Sequence, residues 1–307
     1  MPLFKNLIPF RIGPEWSPPA LEALEAELQR LTFQPCAATQ ELSVGWVPPR
    51  GEAHAPMVEV VDGHWIMKLA VERRSVPAGA VRAELEARCK AIEQAQGRKP
   101  GRKEKAELKE DIVHAFLPRA FSKRSAHLLW LDPSARLLAV GVGSTKAAEG
   151  VIAQLVDAMA QVRCVMPLSP VHTATSPAAA MAHWLSSQEA PAGFTVDRDL
   201  ELKNAGEERS VVRYARHNLD LEEIARHIEE GKLPTQLALT WEGRVSFLLT
   251  ELLAIRKIDM HGVDENLGDD KGFDADAAIA TGELSALLPE LLQALGGEVQ
   301  PGMSAVA

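Results

Sequence analysis

Positively charged side chains are concentrated in one short stretch of an otherwise acidic chain. Between Arg98 and Arg124, nine Lys or Arg residues stand against four Asp or Glu, whereas the whole chain has a formal net charge of −9. Clustered cations neutralise nucleic-acid phosphates without requiring a particular sequence. A solvated helix face or a linker has the same composition, so the run alone leaves both interpretations open. The nine cations are Arg98, Lys99, Arg102, Lys103, Lys105, Lys109, Arg119, Lys123 and Arg124.

An aromatic residue lies among the last three cations of this run. Phe121 follows Arg119 and precedes Lys123 and Arg124. Such a ring is either a core side chain beneath a charged rim or an exposed group that touches DNA or a protein partner. The spacing by itself favours the core interpretation.

The segment from Gly141 to Lys146 resembles a phosphate-binding loop between a strand and a helix. It lacks the Gly-x-x-x-x-Gly-Lys-Ser/Thr spacing of a Walker loop, and Lys146 stands where a dinucleotide fingerprint needs its third glycine. Ser144 or Thr145 acting as an ordinary helix N-cap explains the segment better. A nucleotide hydrolase using this loop remains one alternative.

Acidic residues near the end of the chain are the other candidate ligands. A divalent ion could be held by such oxygen ligands, but the EF-hand spacing is absent and solvated loop carboxylates are the commoner explanation. No HExxH, GxSxG or CxxC motif occurs, and the three cysteines, Cys36, Cys89 and Cys164, are far apart. We therefore expect no metal, no cofactor and no catalysis, with a metal nuclease as the alternative. The acidic residues are Asp264, Glu265, Asp269, Asp270, Asp274 and Asp276.

Hairpins and amphipathic helices must position these residues. Hairpins outnumber βαβ patterns, which predicts an α+β fold with mainly antiparallel sheets and flanking helices. Turn residues predict hairpins at 132–135 and 242–243, and a basic helical segment, about 78–125, is inserted between the sheet-forming parts. Further helices are predicted at 144–160 and 282–295, the latter kinked at Pro289. Without a long apolar run or a cleavage site, the chain is expected to be cytoplasmic and to lie outside membranes.

Several collinear stretches resemble the RdgC family of recombination-associated bacterial proteins. The resemblance covers about 1–298, leaving 299–307 as a tail that we expect to be disordered. The matching stretches are Leu3-Phe4-Lys5-Asn6-Leu7, Gly45-Trp46-Val47-Pro48-Pro49, Leu117-Pro118-Arg119-Ala120-Phe121-Ser122, Phe273-Asp274-Ala275-Asp276, Thr281-Gly282-Glu283-Leu284 and Leu295-Gly296-Gly297-Glu298.

The resemblance implies an elongated, curved protomer that pairs into a closed homodimeric ring around double-stranded DNA. It implies nucleoid association, binding without sequence preference and restraint of RecA-promoted recombination, with a further role at replication forks, and it leaves open whether single-stranded DNA binds as well. It also implies that Phe121 lies at the tip of a finger-like hairpin that engages DNA. An acidic exterior with a basic lumen would reconcile the net charge with a polyanionic ligand.

The resemblance also places a dimer gate at Arg216 and His217. Those positions depart from the Lys-Gln pair of a family relative, and a histidine there would make ring closure sensitive to pH. The remaining alternative class is a protein-interaction module that binds the recombinase directly.

Overall fold

A large antiparallel sheet with helices on both faces forms the fold of this computed structural model. The structure describes residues 3–52, 54–204, 210–215, 221–262 and 272–299. The strands are β1 (Asn6–Ile12), β2 (Leu42–Trp46), β3 (Glu59–Val61), β4 (His64–Arg74), β5 (Ser122–Asp132), β6 (Leu137–Val140), β7 (Leu168–Pro170), β8 (Phe194–Asn204), β9 (Val211–Tyr214), β10 (Lys232–Trp241), β11 (Val245–Thr250) and β12 (Ile255–Met260). The helices are α1 (Leu21–Arg30), α2 (Ala78–Gln96), α3 (Arg102–Phe116), α4 (Thr145–Gln161), α5 (Pro177–Ser187), α6 (Leu221–Glu229) and α7 (Phe273–Ala294). None of the helices in the described part of the chain combines the length and the apolar character that crossing a membrane requires.

The strand order is mirrored about the centre of the sheet. It runs β2-β4-β5-β6-β1-β12-β11-β10-β8-β9, with β3 pairing to β4 and β7 to β1. In each half, a long strand pair (β4 with β5, β8 with β10) leads through a hairpin strand (β6, β11) to a central strand (β1, β12). The two central strands meet at only two paired positions, Asn6 with Arg256 and Leu7 with Ile255. The predicted α+β class and both predicted hairpins are confirmed.

Two hydrophobic clusters lie on opposite faces of this sheet. Leu7 and Ile255 belong to a cluster that contains the buried sides of α5 and α7, whereas the neighbouring Ile8 belongs to one that contains those of α1 and α4. Alternate residues of a strand point to opposite faces. Helices α1 and α4 therefore cover one face of the N-terminal half, and α5 and α7 cover the other face of the C-terminal half.

The helix predictions differ from the structure mainly at the chain's end. Helix α7 begins at Phe273, nine residues before its predicted start, and contains Pro289. Ser144 is the N-cap of α4, its side chain accepting a hydrogen bond from the backbone N–H of Ala147 at 3.4 Å, as predicted. Val299 donates to the carbonyl of His172, and residues 300–307 lie outside the described residues.

The Leu295-Gly296-Gly297-Glu298 stretch ends α7 and fastens the chain to β1. Gly296 and Gly297 have φ values of 84° and 88°, the left-handed region that glycine adopts at little cost. Glu298 then accepts two hydrogen bonds from the guanidinium of Arg11, at 2.6 and 2.7 Å. One of the matching stretches is thereby explained as a helix stop and an ion pair.

Gly45 is required by the close approach of two backbone segments. A Cβ built at this position would clash with the Cα of Phe33, because residues 31–33 run parallel to the end of β2 and exchange backbone hydrogen bonds with Trp46. We expect Gly45→Ala to lower the free energy of unfolding by about 1–3 kcal/mol, the range for overpacking. Urea denaturation measures the change, with Gly150→Ala as the matched control since its new methyl group would meet open space. A Gly45→Ala protein as stable as the control would contradict this explanation.

Candidate nucleic-acid interface

Strands β4 and β5 form an arm that extends from the core and carries α2 and α3 at its outer end. The two strands pair continuously from Trp65 with Leu131 to Arg74 with Ser122. The inner end of β5 is buried, whereas its first three residues, 122–124, are exposed. Helices α2 and α3 connect the outer ends and pack against each other. Only Val81 of α2 and Ile112 of α3 are buried, so most of this helical pair contacts solvent.

All nine cations of the basic run are exposed, and some of them are already paired with carboxylates. Arg98 lies 2.8 Å from Glu104, and this hydrogen bond holds the pKa of the Glu104 carboxyl below its usual value. Lys99 lies 3.8 Å from Glu93, and Lys103 lies 3.9 Å from Glu107. Surface pairs of this kind are weak, so these three cations remain available to a stronger anion at some cost.

The six other cations of the run make no ion pair with any described carboxylate. Three of them, Arg102, Lys105 and Lys109, are spaced three and four residues apart and therefore share one face of α3. The other three are Arg119, Lys123 and Arg124. Sequence reasoning missed Arg73, which is exposed on β4 directly opposite Lys123. Two like charges at paired positions of a strand ladder repel each other, and an anion bound between them would relieve that repulsion.

Arg124 differs from the other cations because an aromatic ring holds it. Its guanidinium carbon lies 3.9 Å from the centre of the Phe33 ring. A stacked guanidinium keeps its charge and its outward-facing N–H groups while its direction is fixed. Phe33 thus restricts where Arg124 can meet a ligand.

Phe121 is 94% exposed, so the core interpretation drawn from its spacing is wrong. The ring follows a short 3-10 turn, Leu117–Arg119, and immediately precedes β5 at the outer end of the arm. Burial of the Phe121 ring would need a covering element, and none of the described elements covers that ring.

Arg74 fixes the segment that carries Phe121. Its guanidinium donates to the carbonyl of Leu117 at 3.4 Å and to those of Ala38 and Cys36 at 3.4 and 3.2 Å. The last residue of β4 therefore joins the 36–38 loop to the turn before Phe121. An exposed aromatic ring is thus presented from an anchored backbone.

The remaining candidate residues do not form a second site in the described part of the chain. Arg216 and His217 lie outside the described residues, as do Asp264, Glu265, Asp269 and Asp270. Asp274 is paired with Arg50, and no group of acidic, His or Cys residues suited to a metal ion occurs among the described residues.

The fold and the arm together define an α+β protein that presents a cationic, aromatic-tipped surface. A family model described as "Putative exonuclease, RdgC" matches residues 2–298. Relatives named recombination-associated protein RdgC are similar over almost their whole length. That of Dechloromonas aromatica is 42% identical over 96% of this chain and 98% of its own, and that of Cupriavidus pinatubonensis is 41% identical over the same shares. The chain belongs to the RdgC family.

Proposed function

We propose that this protein binds double-stranded DNA through the arm, without sequence preference, and that catalysis is not part of this activity. The observation that carries the proposal is the exposed set of cations on the arm together with the exposed Phe121, six of these cations being without an ion pair to a described carboxylate. Cations of this type contact phosphates, which are the same in every sequence. The name of the relatives, recombination-associated protein, supports a role connected with DNA recombination.

The proposal extends to a closed homodimeric ring that restrains RecA-promoted recombination. In this arrangement two arms face one duplex, and twofold symmetry doubles the cationic surface. The acidic remainder of the chain would repel phosphate from the outside and leave the arms as the favoured contact. Restraint of strand exchange then follows from occupying the DNA.

Equilibrium binding to several unrelated duplexes, with the oligomeric mass measured in parallel, tests this function. A dimer that binds all duplexes with similar affinity supports the proposal. A monomer without affinity for DNA overturns it and favours the interaction module, in which the arm binds an acidic protein. Degradation of DNA by purified protein with Mg²⁺ would favour the exonuclease of the family description.

Phe121 is expected to contribute an apolar contact in addition to charge. An aromatic ring that inserts between base steps of a duplex adds an apolar contact without neutralising a phosphate, so we expect Phe121→Ala to weaken DNA binding while leaving the salt dependence unchanged. Leu252→Ala is the matched control, because Leu252 is also an exposed apolar residue, at 68%, but lies outside the arm. Equal affinities for the two variants would mean that the aromatic side chain of Phe121 makes no contact with DNA.

A further inference from the structure

A second set of cations lies near the seam of the sheet, which is the line where β1 and β12 pair and the two halves of the sheet meet. Arg256 on β12 pairs with Asn6 on β1 and with Leu248 on β11. The neighbouring residues Leu7, Leu249 and Ile255 all face the cluster beneath α5 and α7. Arg256 and Asn6 therefore point to the opposite face, the one that carries α4.

The start of α4 lies beside these two residues. A Cβ built on Gly143 would lie 3.8 Å from the side chain of Asn6, which places the loop before α4 directly over the seam. Lys146, in the first turn of α4, is exposed and makes no ion pair with a described carboxylate. The N-terminus of a helix adds a partial positive charge to such a cluster.

Arg256 is placed in an unusual way for a surface cation. The residue is half-buried, its Nε is enclosed, and no described residue accepts a hydrogen bond from that nitrogen. A charge moved partly out of water is costly unless an opposite charge accompanies it. No ion pair joins Arg256 to a described carboxylate, and because its Nε is enclosed, an external anion would have to meet the terminal N–H groups of the guanidinium.

The surroundings limit the size of that anion. Lys257, next to Arg256, is paired with Asp199 at 3.2 Å, and Asp197 accepts a hydrogen bond from Thr240 at 2.7 Å. These carboxylates lie on strands farther from the seam and would repel a second phosphate there. The expected ligand is therefore a single phosphate group, on the side of the sheet where Arg256 and the start of α4 lie.

We propose that Arg256 and Lys146 bind one phosphate of the DNA backbone at the seam of the sheet, separately from the arm. The inference rests on the proposed function, because it supplies that function with a second contact point. A duplex that touches both the arm and the seam would lie across the N-terminal half of the protein. The loop at 141–146, which is not a nucleotide-binding loop, thereby gains a role as a backbone-phosphate contact.

Binding of unrelated duplexes to the full-length protein across a salt series tests the seam site. Substituting a phosphate-contacting cation should weaken all sequences equally and lower the slope of log affinity against log salt by about one unit. We expect this result for Lys146→Gln and for Arg256→Gln, with Arg256→Lys largely retaining affinity. Arg163→Gln is the matched control, because Arg163 is exposed just beyond the opposite end of the same helix. Bound DNA should also lower the rate of hydrogen exchange at the backbone amides of Thr145 and Lys146.

The outcomes separate this inference from the function on which it rests. If the arm variant Lys109→Gln lowers the slope while Lys146→Gln behaves like Arg163→Gln, the seam site is wrong and the arm's function stands. Absence of any DNA binding by the unaltered protein overturns both. Because Lys146 is exposed and outside the core, its variant gives an answer even if Arg256→Gln fails to fold.

Discussion

The affinity for duplex DNA is expected to fall by about three to five decades between 50 and 200 mM salt, if roughly six to ten phosphates are bound. Each neutralised phosphate releases condensed counterions, and added salt opposes that release. The exposed cations of the arm and their symmetric copies are sufficient for this number of phosphates. Fluorescence anisotropy of a labelled duplex, repeated at several salt concentrations, gives the slope directly. A slope near zero would show that apolar or hydrogen-bonding interactions dominate and that the arm is not a phosphate-binding surface.

The unpaired cations should account for most of that slope. A variant with Lys105, Lys109 and Lys123 changed to Gln is expected to lower the slope by about one unit for each phosphate that is no longer neutralised. Changing Lys103 to Gln is the comparison, because Lys103 already lies beside Glu107 and its removal leaves that carboxylate exposed to water. If Lys103→Gln lowers the slope by a third of the change seen for the triple variant, DNA makes no distinction between paired and unpaired cations.

The sequence predicted the hairpins and caps of this fold because short-range chemistry determines them. The turn at 242–243 has φ values of 45° and 67°, which Glu-Gly can adopt, and Ser144 satisfies an N–H three residues away. Strand β8 escaped prediction because its acidic residues, Asp197, Asp199 and Glu201, obscure the apolar pattern of a strand with one open face. Glu201 is buried all the same, and its pKa is lowered despite the opposing effect of burial, since Thr235 and Arg213 hydrogen-bond to it.

The candidate site was predicted in composition but not in geometry. The spacing of Phe121 resembles that of a core residue, and its exposure follows from where α2 and α3 leave the arm, which depends on tertiary packing. Arg73 and Lys123 are far apart in sequence and become neighbours only through the β4–β5 register. The Phe273-Asp274-Ala275-Asp276 stretch was one part of a hypothetical metal site. Its Asp274 instead lies against Arg50, a pairing of residues 224 positions apart.

Removing the Arg50 side chain is expected to cost the protein about 3 kcal/mol of unfolding free energy, the lower end of the range for breaking a buried ion pair. Arg50 donates to both carboxylate oxygens of Glu59, at 2.6 and 3.0 Å, and also to Asp274. Its guanidinium lies 5.1 Å from the centre of the Phe273 ring, and these hydrogen bonds, that to Glu59 foremost, raise its pKa. One side chain therefore joins β3 to the start of α7.

The size of the effect comes from the carboxylate that stays behind. Glu59 is only 6% exposed, so Arg50→Met would leave a buried charge without its partner. The double variant Arg50→Met, Glu59→Leu removes both charges and should regain much of the stability. Urea denaturation of the two variants measures the difference, with Arg88→Met as control because the side chains of Arg88 and Glu84, which form an ion pair, are both 38% exposed. If Arg50→Met is no less stable than that control, Glu59 must reach water or another cation, and the link between β3 and α7 does not depend on charge.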